Sequence, residues 1–449
     1  MKTKLLLLLS LFVLQSNAQQ CWDKISSGAY HTIAISNDGT LWAWGYNDSG
    51  QLGDGTYVNK TVPTKIGTDT DWVSISTGYY HSFAIKSNGT LWGWGSNFYS
   101  KIGLPGTANY LTPQQVGTAT DWLQVSGGEN FSLGIKTNGT LWTMGDDSWG
   151  QMGNGFGGNH NSPTQVGTEM DWAQVDAGRR HCIALKTNGK IYVWGSNGNG
   201  QMSDGGISGV IYFPTLVTTT GTSNFIKVEA GVNSSLAIKD DNSLWISGLV
   251  GPTNTNFFQQ FAYPTTWSNV SAGTNHVIGV KSDGTLWAWG VNDYGQISQP
   301  SFNSVNTPYQ VTGTNFSTQI STNLLSSLVL KNDGFLYGFG QNHVGQLGDG
   351  SSIGKNSITA IPCPSAVLLT ESFDELNKAT LYPNPVSNQL NISTSSDIQK
   401  IVIYDISGKQ VKILEGNVNS IDVSNFKSGF YIIEITIDGN TTVRKFIKE

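Results

Sequence analysis

Charge is scarce in this chain. Only 12 % of its 449 residues are Asp, Glu, Lys or Arg, too few for helical bundles or coiled coils, which need charged helix formers. A basic excess is missing too. The formal net charge is −6, which argues against a nucleic-acid partner, because neutralising phosphates takes a basic face. Three cysteines and six histidines show no zinc-type spacing, and there is no Gly-x-Ser-x-Gly, phosphate loop or EF-hand loop. Long hydrophobic runs are absent except for Leu5 to Leu14, and ten residues cannot span a bilayer, which takes about 20. Disorder is excluded by the 11 % aromatic content, which supplies ample apolar surface to bury.

What is abundant is glycine, at 54 residues, together with 15 Trp. Glycine is thus about 12 % against a usual ~7 %. The N-terminus has a function of its own. Lys2 and Lys4, the apolar run and then Gln15-Ser16-Asn17-Ala18 form the basic, hydrophobic and small-residue regions of a secretory signal peptide, residues 1–18. Its removal shifts the formal charge from −6 by two units to −8, leaving an acidic chain in a compartment where disulfides persist. Gln20 before Cys21 disfavours a lipoprotein.

A repeat dominates residues 19–363. His31-Thr-Ile-Ala-Ile-Ser-Asn-Asp-Gly39-Thr-Leu-Trp-Ala-Trp-Gly45 returns as His81 to Gly95, and the frame recurs at Gly139, Gly189, Asn242, Gly284 and Gly334. The spacings are 50, 50, 50, 53, 42 and 50. Alternating apolar runs on either side of Asp-Gly or Asn-Gly read as hairpins with two-residue turns. Each unit holds about four short strands, too few to bury its own face, so neighbours must stack. Seven such units closing on themselves make an all-β, seven-bladed propeller. An open solenoid is the alternative, and would leave both end sheets uncovered.

The pattern G-x-x-H, D-G, L-W-x-W-G, G-Q-L-G resembles the regulator of chromosome condensation repeat family. Gly28, His31, Trp42, Trp44 and Gly50-Gln51-Leu52-Gly53 carry it, as do Gly345-Gln346-Leu347-Gly348. The resemblance implies a seven-bladed propeller and a protein-binding role. In the repeat frame Cys21 and Cys363 fall three positions apart, a separation compatible with a disulfide that latches the ring; two unrelated thiols are the other possibility. The same frame suggests that the strand near Asn356 to Ile361 completes the blade begun by the N-terminus. Cys182 reads as a buried small residue.

After a linker, residues 364–378, short alternating strands over 379–449 read as a small Ig-like β-sandwich. Tyr382-Pro383-Asn384-Pro385, the Gly429-Phe430-Tyr431 stretch and the Lys445-Phe-Ile-Lys448 end resemble the type IX (Por) secretion-system C-terminal sorting domain. That resemblance implies a type IX machinery partner and delivery to the cell surface or medium.

The four histidines at the repeated position read as packing residues bonded to backbone within their own blades, because Phe131, Ser234 and Ser326 replace them elsewhere. Binding should lie where the repeat varies. Two residues separate each repeated Gly from the His position, and among these pairs Tyr30, Tyr80, Glu129, Arg179 and Arg180 form the candidate patch, since Tyr and Arg serve as anchors. Ordinary turn variability competes with that reading. The irregular stretch Thr253 to Tyr263 is a second candidate, with Phe257, Phe258 and Phe261 as exposed aromatics. No metal site, cofactor or catalytic residue is expected. The favoured function is a non-enzymatic propeller that binds an extracellular protein or glycan. The alternatives are a polysaccharide-processing enzyme with converging carboxylates and a purely structural surface component.

Overall fold

The computed structural model describes residues 21–155, 158–218, 224–251, 253–261, 266–363, 379–394, 396–405, 409–437 and 440–449. The leader 1–18 and the linker 364–378 lie outside these. Two compact units divide the chain, with the boundary between Ser365 and Ala366.

The first unit contains seven four-stranded antiparallel sheets. In blade one the strands are Trp22–Ser27, His31–Ser36, Leu41–Gly45 and Lys60–Ile66. Within the second strand of each blade alternating residues turn to the two sheet faces, and both faces are covered by neighbouring blades. His31 to Ile35 are accordingly all buried. The outer strand is largely exposed on the rim. Apolar cores of nine to eleven buried residues lie between successive sheets; one joins Phe131, Leu141 and Met152 of blade three to Trp172, Val175 and Trp194 of blade four.

The hairpin turns differ from the two-residue form expected. Gly39 N–H bonds Ser36 O at 2.9 Å and Ser36 N–H bonds Thr40 O at 3.0 Å, and Gly39 alone has positive φ, +76°. Asp38 keeps ordinary φ because its carboxylate accepts Thr40 N–H at 3.1 Å and Thr40 Oγ1–H at 2.7 Å. A Cβ at Gly39 would also meet Thr70 O.

The second recurrent loop is organised by a buried asparagine. Asn342 Oδ1 accepts Leu347 N–H at 2.9 Å, while its Nδ2 donates to Asp349 Oδ1 at 2.9 Å and Ser351 O at 3.0 Å. Asn47 and Asn97 do the same work, and Asp147 replaces the acceptor half in blade three. Asn342→Ala should therefore cost about 3 kcal/mol by stranding buried backbone groups. Asn342→Asp should cost at least as much, because it sets a second carboxylate against Asp349 where an amide had donated, and urea midpoints compare them.

Blade to blade, the Gly-Gln-Leu-Gly loop hands a main-chain carbonyl to its neighbour. Gln51 O accepts from Ser82 Oγ–H at 2.8 Å and Trp94 Nε1–H at 2.9 Å. Gln346 O does this for Thr32 and Trp44, both at 3.1 Å, so blade seven treats blade one as the next in series. The ring is closed, and an open solenoid is excluded.

Closure does not use a shared blade, as the repeat frame had suggested. Lys355–Ile361 pairs with Leu336–Gly340 inside blade seven, just as Lys60–Ile66 pairs back with Leu41–Gly45. The strand preceding each repeated Trp is the outer edge of the blade before it, so all seven sheets are continuous in sequence. The seam is instead a disulfide, Cys21–Cys363, with Cα atoms 5.8 Å apart. It sits in a core where Trp22, Ile25 and Trp44 meet Leu328, Leu336 and Ile361. Cys182 is a fully buried free thiol, and burial pushes its pKa well up.

The second unit is a sandwich of two sheets. One holds Ala379–Tyr382, Gln389–Thr394 and Ser420–Asp422; the other holds Gln410–Glu415, Ile398–Asp405, Gly429–Ile437 and Asn440–Lys448. Leu390, Ile401, Ile403, Ile433, Ile435 and Phe446 fill the space between them. The residues read as a sorting signal interlock. Asn384 Oδ1 accepts Ile447 N–H at 2.9 Å and its Nδ2 donates to Lys445 O at 3.2 Å. Val386 bridges to Lys448, and buried Tyr431 stacks on Phe446 at 5.4 Å. Gly429 begins the strand that carries Tyr431. Tyr382, Pro383 and Pro385 remain exposed.

Candidate functional site

The first strand of each blade lines the axis, and its C-terminal end delivers the variable pair. A cavity of about 80 Å³ lies on the axis, with walls from all seven blades. The first members of five pairs, Ala29, Tyr79, Arg179, Val232 and Leu324, line it.

Beneath the pairs runs a belt of side chains. Each accepts a backbone N–H of the next blade. Ser26 accepts from Thr77 at 3.1 Å, Ser76 from Gly127 at 3.3 Å, Ser126 from Ala177 at 3.0 Å and Asp176 from Ala230 at 2.7 Å. Glu229 accepts from Ala272, Ser271 from Thr322 at 3.1 Å and Ser321 from Ser27 at 2.9 Å. Burial raises the carboxyls of Asp176 and Glu229, the latter to about 8.

The repeated histidines complete the blade contacts, and they bond the next blade, not their own as the sequence had suggested. His31 Nε2 meets Ser82 Oγ at 2.8 Å, His81 meets Ser132 at 2.9 Å and His276 meets Ser327 at 3.1 Å. Those hydroxyl protons are already given to carbonyls, so each Nε2 must carry a proton and donate. His181 Nε2 donates directly to Ser234 O at 3.1 Å. Where the ring is absent the neighbour changes with it: Phe131 faces the blade that carries Cys182. Burial lowers the imidazoles, His31 to about 3 and His181 and His276 to about 4. The glycine of G-x-x-H leaves room for them; a Cβ at Gly78 would overlap the His81 ring.

The structure brings Tyr30, Tyr80, Glu129, Arg179 and Arg180 into one arc. His343 of blade seven packs on Tyr30 at 5.6 Å, Tyr30 on Tyr46 at 6.3 Å, Tyr46 on Tyr80 at 6.3 Å and Tyr80 on Tyr79 at 6.5 Å. Lys101 Nζ lies 5.9 Å from the Tyr80 ring centre and donates to Glu129 O at 3.2 Å and Asn130 Oδ1 at 3.3 Å. Glu129 in turn holds Arg180 Nε at 2.7 Å and Arg179 Nε at 3.2 Å. Arg180 lies over Trp149 at 5.1 Å. Burial alone would raise the Glu129 carboxyl, but the two guanidinium groups hold it below the usual range. Lys101 stands where other blades have the motif glutamine; it is buried, and burial pushes its ammonium down to about 8.

Tyr46, Lys101, Trp149 and His343 were not singled out from sequence. Tyr46, Trp149 and His343 occupy variable positions in the Gly45–Gly50 loop and its equivalents, so the rule that found the first pairs would have found them in this second loop. The aromatic pair in blade five does not join the arc. Phe257 and Phe258 lie on Thr253–Gln260, the outer strand. Phe257 is exposed and packs over the turn at Gly205. Phe258 is 3 % exposed, in the core with Phe225 and Val228, because alternation along a strand sends neighbouring residues to opposite faces.

The sequence matches the RCC1-like domain over residues 6–237 and the regulator of chromosome condensation repeat over 267–296 and 283–322. Residues 380–449 match the secretion system C-terminal sorting domain, which indicates export through type IX machinery to the cell surface or extracellular space. Among curated proteins, a mitochondrial RCC1 domain-containing protein, RUG3 of Arabidopsis thaliana, is 40 % identical over 43 residues, 10 % of each chain. An RCC1 repeat-containing protein of Dictyostelium discoideum is 29 % identical over 203 residues, 35 % of this chain and 42 % of that one. The chain thus spans less than half the length of these relatives. Human WBSCR16 shares the fold with a TM-score of 0.66 at 22 % identity, over 72 % of this chain and 94 % of its own. Prp20p of Saccharomyces cerevisiae, studied for its binding to Gsp1p and histones, gives 0.60 at 21 %, over 67 % and 80 %.

Proposed function

We propose, from the premise that this chain belongs to the RCC1-like domain family and ends in a secretion sorting domain, that it is an exported, non-enzymatic module that binds a protein through the arc from His343 to Arg180. The observation that carries this reading is the arc itself. Six aromatic rings, His343 included, and two arginines from five consecutive blades form one continuous surface, and Tyr, Trp and Arg supply most binding energy at protein interfaces. The fold does not need these residues, since other blades put Ala, Val, Asn or Leu at the same positions.

The enzymatic alternative requires two carboxylates free to act on a glycosidic bond. Asp176 and Glu229, on adjacent blades, are instead engaged with backbone N–H groups of the following blade, which supports a structural role for both.

The test is an array of purified extracellular proteins and glycans probed with the mature chain. A protein hit should be weakened by about 30-fold or more in Tyr80→Ala and Arg180→Ala, in keeping with a hot-spot loss of about 2 kcal/mol, with unchanged circular dichroism. Glycan hits that are turned over, with turnover lost on replacing a carboxylate pair, would overturn the reading. So would protein hits indifferent to both substitutions.

A further inference from the structure

Resting on the arc reading, we propose that the protein partner presents an acidic side chain, and that the guanidinium of Arg180 receives it. Arg180 lies over Trp149, 5.1 Å from the ring centre, and donates its Nε–H to Glu129 Oε2 at 2.7 Å. With Nε committed, the end-on fork of two Nη groups is left over, and it meets no acceptor among the described residues. The Arg180 side chain is 36 % exposed and Trp149 38 %, so a ligand can reach both.

Charge at this end of the arc is unevenly shared. Arg179 engages both oxygens of Glu129, Nε to Oε2 at 3.2 Å and Nη2 to Oε1 at 3.3 Å, so one carboxylate serves two guanidinium groups. The two carboxylates on the Trp149 loop turn into that loop. Asp146 accepts from Ser148 N–H at 3.2 Å and Gln151 Nε2–H at 3.0 Å, and Asp147 accepts Met152 N–H at 3.0 Å. A ligand carboxylate fits what Arg180 lacks, because it offers two parallel acceptors to a planar fork together with the countercharge. Stacking on Trp149 and the bond to Glu129 hold the guanidinium in place beforehand, which lowers the entropy cost of capture.

The fork is continuous with the tyrosines. The Tyr80 ring lies 5.9 Å from Lys101 Nζ, which donates to Glu129 O at 3.2 Å. A partner segment that sets Asp or Glu on Arg180 brings its neighbouring apolar side chains over Tyr80. Packing does not account for the charges. Of the seven variable pairs, only those of blades three and four hold charged residues, namely Glu129, Arg179 and Arg180. The Arg180 position is Tyr, Asn or Leu in every other blade.

Panning a random twelve-residue peptide display library against the mature chain tests this. Selected peptides are expected to share an Asp or Glu beside aromatic or aliphatic residues. In the tightest of them, replacing that acid by its amide should weaken binding about tenfold, as should Arg180→Gln in the protein, and the two losses should not add. Arg180→Lys, which keeps the charge without the fork, should restore only part of the loss. Circular dichroism should be unchanged in each variant. Selected peptides that carry no acid, or that bind Arg180→Gln as tightly as the wild type while failing on Tyr80→Ala, would overturn this inference and leave the arc reading standing. Peptides indifferent to both variants, or no peptide selected at all, would overturn both. Arg180-dependent binding of polygalacturonate with no acidic peptide selected would also overturn it, assigning the fork to an acidic glycan.

Discussion

Removing the Cys21–Cys363 bridge is expected to lower the stability of the propeller by about 5 kcal/mol, because the link closes a loop of more than 300 residues in the unfolded chain. The two cysteines are 342 positions apart, so few cross-links in a chain of this size could restrict the unfolded state more. In the folded ring the same bridge guards the seam, the one place where neighbouring blades are not joined by a peptide connection. Without it the seam keeps the Gln346 O bonds to Thr32 and Trp44 and the apolar contacts of Trp22, Ile25 and Ile361. Cys21→Ser/Cys363→Ser should therefore still close, but unfold at lower urea. Hydrogen exchange should rise first in Trp22–Ser27 and Lys355–Ile361. Coincident urea curves for the wild type and the double variant would refute this.

Acid should destabilise the propeller steeply. Four fully buried histidines have their imidazoles pushed down, three of them to about 3 or 4. Their contribution is fully present above the unfolded value of 6.5, and is lost as the pH falls toward the folded values. In that window the unfolded chain binds protons that the native ring cannot. Asp176 and Glu229 act in the opposite direction: their carboxyls are raised, so they favour the folded state as the pH falls. Four protons against at most two leaves a net uptake of about two to four on unfolding once the unfolded histidines are charged, or roughly 3–5 kcal/mol lost per pH unit between about pH 5.5 and 4.5. Urea midpoints measured across that range check the slope. His81→Phe with Ser132→Ala, which copies the apolar pairing around Phe131, should flatten it by about 1.4 kcal/mol per pH unit. A flat profile in the wild type would show that the histidines titrate normally.

Much of the architecture was legible in the sequence because it is local and repeated. The count of seven follows from the recurrence of the Gly39 position, and the hairpins follow from alternation about it. The Cys21 and Cys363 spacing could be read because a constant repeat length converts sequence position into ring position. The candidate patch was legible for the complementary reason. Positions free of packing duty vary, and Tyr30, Tyr80, Glu129, Arg179 and Arg180 stand out against the repeat.

What sequence could not supply were contacts between residues about 50 positions apart on neighbouring blades. The imidazoles bond the next blade's serine, and nothing in a single repeat says whether a donor faces its own sheet or the adjacent one. The phase of the blades had the same ambiguity: a periodic pattern has no origin, so only the pairing of Lys355–Ile361 with Leu336–Gly340 fixed where one blade ends. Phe258 was misjudged because an irregular segment hides its alternation until its strand partners are known. The sequence by itself determined the unit, its number and its variable positions, since these depend on short-range periodicity and turn chemistry. The closure and the belt along the axis were decided by the tertiary structure, because curving seven sheets around one axis is what brings residues nearly 300 positions apart, such as Ser27 and Ser321, into hydrogen-bond contact.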